Sequence, residues 1–427
     1  MIKLFTDNLS AIDSEHTVTA DEIKNTEELI GKYLKNIDAP NLGFCKAIDN
    51  DNLPRDIQAF IKGKKEKYSH IVVLGIGGSA LGTICIAQSL THLFKPSKLI
   101  VVDNIDPVII KELEETIDLK KTLFIVVTKS GSTPETLSQF FYFKDKCEQA
   151  KLSLWDHFVI VTDPEKGLLR EIAEKENIPS FEVPKNTGGR FSVLTAVGLL
   201  PAALIGINID LLLKGADKMR SNFLIGDPAK NLPFKLATVQ YLAYQKNKHI
   251  NVITPYAQKL IKFADWYRQL LAESIGKKTD KNGHIVNVGI TPVNALGATD
   301  QHSQSQLYTE GPNDKLHIFI KVNNLAPPIP IPNPYPDEPS VAYLNNITFN
   351  KLIATEMEGT VQALTQTQHP NITVEIDKID EETLGGLFML FEGATAFLGE
   401  FFNINAFDQP GVELSKQITK KLLSPNS

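Results

Sequence analysis

Short apolar runs alternate with longer stretches of helical spacing from His70 onward. IVVL (71–74), KLIVV (98–102), TLFIVV (122–127) and FVIV (158–161) are too short for helices and apolar at successive positions, which predicts strands buried on both faces. The segments between them space their apolar residues as helices do, so the pattern predicts βαβ units around a parallel sheet. Residues 191–247 read mainly as helices, with a break near Gly226-Asp227-Pro228. A second alternating section runs through INVIT (250–254), HIVNV (284–288), KLHIFIKV (315–322) and ITVEI (372–376). Ahead of the first strand, Thr19-x-x-Glu22 reads as a capping box, followed by apolar Ile23, Leu29, Ile30, Tyr33, Leu34 and Ile37. The last section, from about Ile379, is helical.

The predicted fold is α/β: two doubly wound domains with mainly parallel sheets flanked by helices. The boundaries are 1–50 for an N-terminal helical segment, 51–210 and 211–400 for the two α/β domains, and 401–427 for a helical tail. PPIPIPNPYPDEP (327–339) is too proline-rich for a helix or a central strand and reads as a stiff surface loop.

Charge and cysteine content narrow the partners. The 427 residues carry a formal charge of −6, which argues against a nucleic-acid partner held by net charge. An anionic substrate then needs a local site. Cys45, Cys85 and Cys147 are few and far apart, so neither a disulfide framework nor a zinc site is predicted, and a reducing cytoplasm fits. The N-terminus lacks the basic head and apolar run of a secretory signal. Val193–Leu213 is broken by Pro201 and Asp210, and Gly385–Ile404 carries Glu392 and Glu400, so both read as core helices and no membrane partner is expected.

Two loops carry candidate chemistry. IVVLGIGGSALGT (71–83) is a strand, then a glycine-rich turn with Gly78 and Ser79, then a helix. Taken alone it allows a dinucleotide site, since Asp103 ends the next strand, or a smaller phosphate site, or only a tight turn. TLFIVVTKSGSTPETL (122–137) places Thr128, Lys129, Ser130, Ser132 and Thr133 between a strand and a helix, with Thr133 suited to the N-cap. Capping accounts for one or two of these hydroxyls. So many short donors beside a lysine suit a compact phosphomonoester better than a dinucleotide. Arg190 follows a diglycine and precedes a very apolar helix, which suggests a guanidinium held near the interior and aimed into a pocket.

GIGGSALG, TKSGSTPET, GGRFSVLTAVG, AESIGK, GATDQHSQSQL and FDQPGVELSK occur in this order from about residue 70 to the C-terminus. In this the chain resembles the glucose-6-phosphate isomerase (phosphoglucose isomerase) family in its shorter bacterial form. The resemblance implies paired sugar-isomerase domains and reversible interconversion of glucose 6-phosphate and fructose 6-phosphate, in glycolysis and gluconeogenesis. It implies ring opening, then proton transfer between C2 and C1 through a cis-enediol, with no cofactor. By the matched motifs, Glu273 is the base, His302 and Lys416 open the ring, and Arg190 stabilises the enediolate. Gln269, one helical turn before Glu273, and Gln409 contact the sugar, while Gly78, Ser79, Thr128, Lys129, Ser130 and Thr133 hold the phosphate. The resemblance also implies a homodimer in which His302 comes from the neighbouring subunit. Many relatives carry Asn at the position of Ile275 and Gly at that of Ser415. A metal-dependent isomerase is disfavoured, because the nine histidines show no HxH or HExxH spacing. Activity also on mannose 6-phosphate, or a non-catalytic sugar-phosphate sensor, are the alternatives; a sensor needs the phosphate loops without Glu273, His302 and Lys416 together.

Overall fold

The computed structural model describes residues 1–37 and 42–424. Its strands are β1 (Ile2–Phe5), β2 (His70–Leu74), β3 (Leu99–Val102), β4 (Thr122–Val127), β5 (Phe158–Thr162), β6 (Ser180–Glu182), β7 (Ile250–Pro255), β8 (Lys277–Thr279), β9 (Ile285–Val288), β10 (Thr291–Asn294), β11 (Lys315–Val322) and β12 (Asn371–Ile376). β2 to β6 make one parallel sheet in the order β3-β2-β4-β5-β6. The second sheet has the order β1-β12-β11-β7-β10 and is parallel except for β1, which runs antiparallel to β12.

Alternation along each strand decides where the cores lie. In the first sheet Ile71, Val73, Leu123, Ile125, Val127, Val159 and Val161 face one way, into a large apolar cluster. Val72, Leu74, Phe124, Val126, Phe158 and Ile160 face the other, against Leu113, Phe140, Phe143 and Leu169 on the outer helices. The inner face of the second sheet, Ile253, Leu316, Ile318, Ile320, Ile372 and Val374, belongs to the same large cluster. Between the sheets lie helices that are nearly all apolar, among them Ala196–Leu204 and Glu381–Phe401. The predicted doubly wound α/β architecture is therefore present, with the inner sheet faces sharing one core.

Glu381–Phe401 is long and apolar enough to span a bilayer by composition, yet 94% of its most apolar window is buried within the fold. That burial includes Glu392, whose two carboxyl oxygens have no hydrogen-bond partner among the described residues, and desolvation holds its pKa well above the usual carboxylate range.

Several details differ from the sequence pattern. The first fifty residues contain the predicted capping box, with Thr19 and Glu22 bonded reciprocally, but they open with β1 instead of a helix. HIVNV does not enter the second sheet; β9 pairs with β8 in a separate two-stranded hairpin. The strand beside β7 is β10, TPVN, too short and too polar to stand out as an apolar run. Helices Ile209–Phe223 and Glu381–Phe401 run across positions 210 and 400. The proline-rich stretch is an exposed loop whose only bridge pairs Pro330 with Thr348 among the described residues.

Candidate active site

β3 lies on one side of β2 and β4 on the other, so the crossovers diverge between β2 and β4. In an open parallel sheet, loops parting at such a switch leave a crevice at the carboxyl ends of the strands. The loops that part here are the two singled out in the sequence, 75–79 after β2 and 128–133 after β4.

In the second loop the hydroxyls of Thr128 and Thr133 lie 2.6 Å apart, and Ser130 Oγ lies 3.3 Å from the first and 3.2 Å from the second. Ser130 Oγ also accepts from Ser132 N and Oγ at 3.3 and 3.4 Å, and hydroxyls so placed can rotate to donate to an incoming anion. Thr133 occupies the N-cap position of helix Pro134–Gln149 without making a capping bond, because its hydroxyl is committed to this cluster. Gly131 closes the turn at φ +65°, where a Cβ would also lie 2.9 Å from Gly167 Cα. Lys129 donates instead to the Lys185 carbonyl at 2.7 Å, and burial lowers its pKa.

The first loop is shaped by what packs on it. A Cβ on Gly78 would lie 2.3 Å from the carbonyl carbon of Gly189 and 2.6 Å from Arg190 N. This glycine thus admits the backbone of the turn that carries Arg190. Gly77 abuts the Gln269 side chain. Ser79 Oγ has no partner among the described residues.

Arg190 stands in the short turn Gly189–Phe191 with its side chain only 1% exposed. Nε donates to Ser274 Oγ at 2.7 Å and Nη1 to Gln409 Oε1 at 2.8 Å. Nη2 donates to the carbonyls of Ala406 and Asp408 at 2.6 and 3.0 Å. Nη1 also lies 3.4 Å from Glu273 Oε2, a long contact that leaves this oxygen open to a better donor. Phe191, Phe44 and Phe407 pack their rings together, which fixes both the arginine turn and the 406–409 segment.

Glu273 lies near the end of helix Ile261–Ile275, one turn after Gln269, whose amide donates to Glu273 Oε1 at 2.9 Å. Its side chain is one-third exposed, so the carboxylate faces both the buried guanidinium and open space. Lys277, four residues on, is 6% exposed at its side chain. Its ammonium donates to the carbonyls of Glu273, Ser274 and Asp408 at 2.7, 3.0 and 3.0 Å.

The structure therefore brings Arg190, Glu273, Gln269 and Gln409 into one hydrogen-bonded group against Gly78 of the first loop, while Thr128, Ser130 and Thr133 cluster on the second. It does not bring in His302 or Lys416. His302 is exposed at the end of the turn Thr299–His302, without a hydrogen bond or ion pair among the described residues. Lys416 lies on helix Glu413–Leu423, 59% exposed at its side chain, and pairs only with Glu413 at 2.8 Å among the described residues. Sequence reading missed Ser274, Lys277 and the carbonyls of Ala406 and Asp408. Only Lys277 left a signal, as a lysine one helical turn after the candidate base. Among the described residues no three His, Cys, Asp or Glu side chains gather as a metal-ligand set.

Fold and site together define a class: a doubly wound α/β protein that presents a hydroxyl cradle and a glutamate–arginine pair at the carboxyl ends of parallel strands. The phosphoglucose isomerase family pattern matches residues 56–323 and 348–426, and the chain belongs to that family. It is 43% identical over 378 residues to a glucose-6-phosphate isomerase of Carboxydothermus hydrogenoformans, covering 86% of this chain and 82% of the relative. Its fold is similar to that of a hypothetical protein of Thermus thermophilus, with a TM-score of 0.89 and 33% identity over 99% of this chain and all of the other. A glucose-6-phosphate isomerase of Chlamydia trachomatis shares the fold at a TM-score of 0.84 and 21% identity, over 98% of this chain and 90% of that one.

Proposed function

We propose that the protein interconverts glucose 6-phosphate and fructose 6-phosphate. The observation that carries this reading is the Arg190–Glu273 pair, one partner buried and the other facing the crevice, set against the first phosphate loop. The phosphate rests on the hydroxyls of Ser79, Thr128, Ser130 and Thr133 and on the loop at Gly78, with Lys129 adding positive charge from its place on the Lys185 carbonyl. Gln269 and Gln409 hold sugar hydroxyls. Once the ring is open, Glu273 takes the proton from C2 as negative charge passes to the C1 oxygen, giving the cis-enediolate, and the hydroxyl proton of O2 then passes to O1. The same carboxyl returns that proton to C1 as the C2 carbonyl forms. Arg190 meets the negative charge that grows on the oxygens between these steps, where a fixed cation acts most strongly. Product and substrate are isomers at one overall oxidation level, so the residues suffice without a cofactor.

Ring opening falls to His302 and Lys416, and each has to be brought in. For Lys416 the carrier is helix Glu413–Leu423, whose Leu414, Ile418 and Leu422 line one exposed face at four-residue spacing and are free to pack as the helix closes over the crevice. For His302 it is a second subunit of a homodimer, whose histidine completes this site. The three free, buried cysteines suit a reducing cytoplasm.

A coupled assay with fructose 6-phosphate in the presence of a chelator, repeated with mannose 6-phosphate, tests the reaction. Turnover of the first that the chelator leaves unchanged is expected, and no turnover overturns the reading. Co-expressing E273Q and H302A chains tests the shared site. Mixed dimers regain one intact site each, so activity should exceed that of either variant alone by about tenfold or more; activity no higher than the parents' removes the partner histidine.

A further inference from the structure

Lys277 has no part in the chemistry proposed above, yet its ammonium is among the best satisfied groups in the site. An ammonium has three N–H donors, and here each meets a backbone carbonyl, on Glu273, Ser274 and Asp408. The first two belong to the last turn of helix Ile261–Ile275, where carbonyls lack intrahelical partners and a cation is favoured. The third belongs to the C-terminal segment. Asp408 O accepts from Arg190 Nη2 as well, at 3.0 Å, so one carbonyl is held by two cations.

Resting on the isomerase reading, we infer that Lys277 is the positioning residue of this site: it ties the end of the helix that carries Gln269 and Glu273 to the segment that carries Gln409, and so sets the carboxylate against the guanidinium. Without that tie, the side-chain link from Glu273's own turn to residues 406–409 is left to Arg190, which reaches Ser274 and Glu273 on one side and Ala406, Asp408 and Gln409 on the other. A misplacement of reacting groups by about 1 Å costs turnover on the order of 10²-fold, so the tie matters far more to kcat than to binding at the phosphate loops.

The tie depends on charge. Burial, then the neighbouring Arg190, pushes the Lys277 pKa down to about 8, while Asp408 and Glu273 pull the other way. Arg190, Asp408 and Glu273 are thus the charged groups that face it, from the arginine turn, the C-terminal segment and the helix. Below that pH the ammonium serves all three carbonyls. Above it the neutral amine has two N–H for three acceptors, so one of the three carbonyls loses its Lys277 donor and the tie is weakened. A lysine whose folded pKa is lowered makes the neutral form the better tolerated one in the fold, so the loss on the alkaline side is a loss of geometry more than of overall stability.

The test is a profile of kcat and KM for fructose 6-phosphate from about pH 6 to about pH 10, on the native protein and on K277R and K277M. The native kcat should fall above about pH 8 with KM for the substrate changing little. K277R, which stays charged, should keep turnover while moving that limb upward by about one unit or more. K277M should lose kcat by about tenfold to a hundredfold at neutral pH. A native profile flat through pH 8, or K277M with native kcat, overturns the inference even if the two variants differ in stability. Absence of isomerisation by the native protein at every pH overturns the isomerase reading instead, and the two failures are distinct.

Discussion

Glu273→Gln is expected to bind fructose 6-phosphate about as well as the native chain while losing turnover by about 10²–10⁴-fold, the usual contribution of a positioned acid or base. The substitution keeps the shape of the side chain. A carboxamide oxygen can still accept from Gln269, now at 2.9 Å from Oε1, and the phosphate hydroxyls lie on the loops after β2 and β4, away from this helix in the chain. What disappears is the ability to hold a carbon-derived proton. Calorimetric binding of fructose 6-phosphate, paired with the coupled assay, separates the two effects. Solvent deuterium entering C1 or C2 gives a third readout, and it should vanish with turnover. Near-native turnover or unabated exchange in this variant would sink the assignment of the base.

The second large effect concerns the end of the chain. Removing residues 413–427 deletes a helix whose described residues are all exposed in the single chain. Thermal stability should therefore stay within about 2 °C, since surface elements that bury nothing contribute little. Turnover should nevertheless fall by about 10²-fold or more if Lys416 reaches the sugar ring from this helix. Lys416→Ala in the full chain should account for most of that loss. An open-chain substrate analogue should be less affected than the cyclic sugar, because the lysine acts on the ring. Native turnover in the truncated chain removes Lys416 and its helix from the chemistry. A large drop in melting temperature would show that Leu414, Ile418 and Leu422 are covered in solution.

Much of this molecule is written in local pattern. β2, β4 and β5 are apolar at consecutive positions because both of their faces are buried, and such runs are conspicuous in a chain. The capping box at Thr19 is legible because both partners lie within one helical turn. Legibility fails where the determining contact is distant. Ile285–Val288 has the composition of a sheet strand but pairs with its own neighbour, and nothing local distinguishes the two outcomes. β10, with a proline and an asparagine in four residues, is a strand only because β7 offers it an edge.

The site divides along the same line. Thr128, Ser130 and Thr133 announce themselves by density of hydroxyls, whereas Glu273 is marked only by the resemblance of AESIGK to the family, helical spacing adding that Gln269 shares its face. The partners of Arg190 do not, since two of them are carbonyls of Ala406 and Asp408, which any residue could supply. Lys129 illustrates the converse: a lysine in a phosphate-like loop whose amine is taken by the Lys185 carbonyl, a choice that no spacing rule reveals.

The placement of β1 bears on how the protein is made. Ile2 pairs with Ile376 and Phe5 with Thr373, so residues that leave the ribosome early find their partners only after most of the chain has followed. The strands of the first sheet all lie between residues 70 and 182 and can close early. The second sheet cannot, because β12 separates β1 from β11 and is synthesised after both. Pairings this remote in sequence form slowly, and until they form, the edge of β12 stays open to the wrong strand. The short strand Ile2–Phe5 thus serves as the late cover of that edge, and blocking it during synthesis would leave the half of the molecule that carries Glu273 as the part most exposed to misassembly.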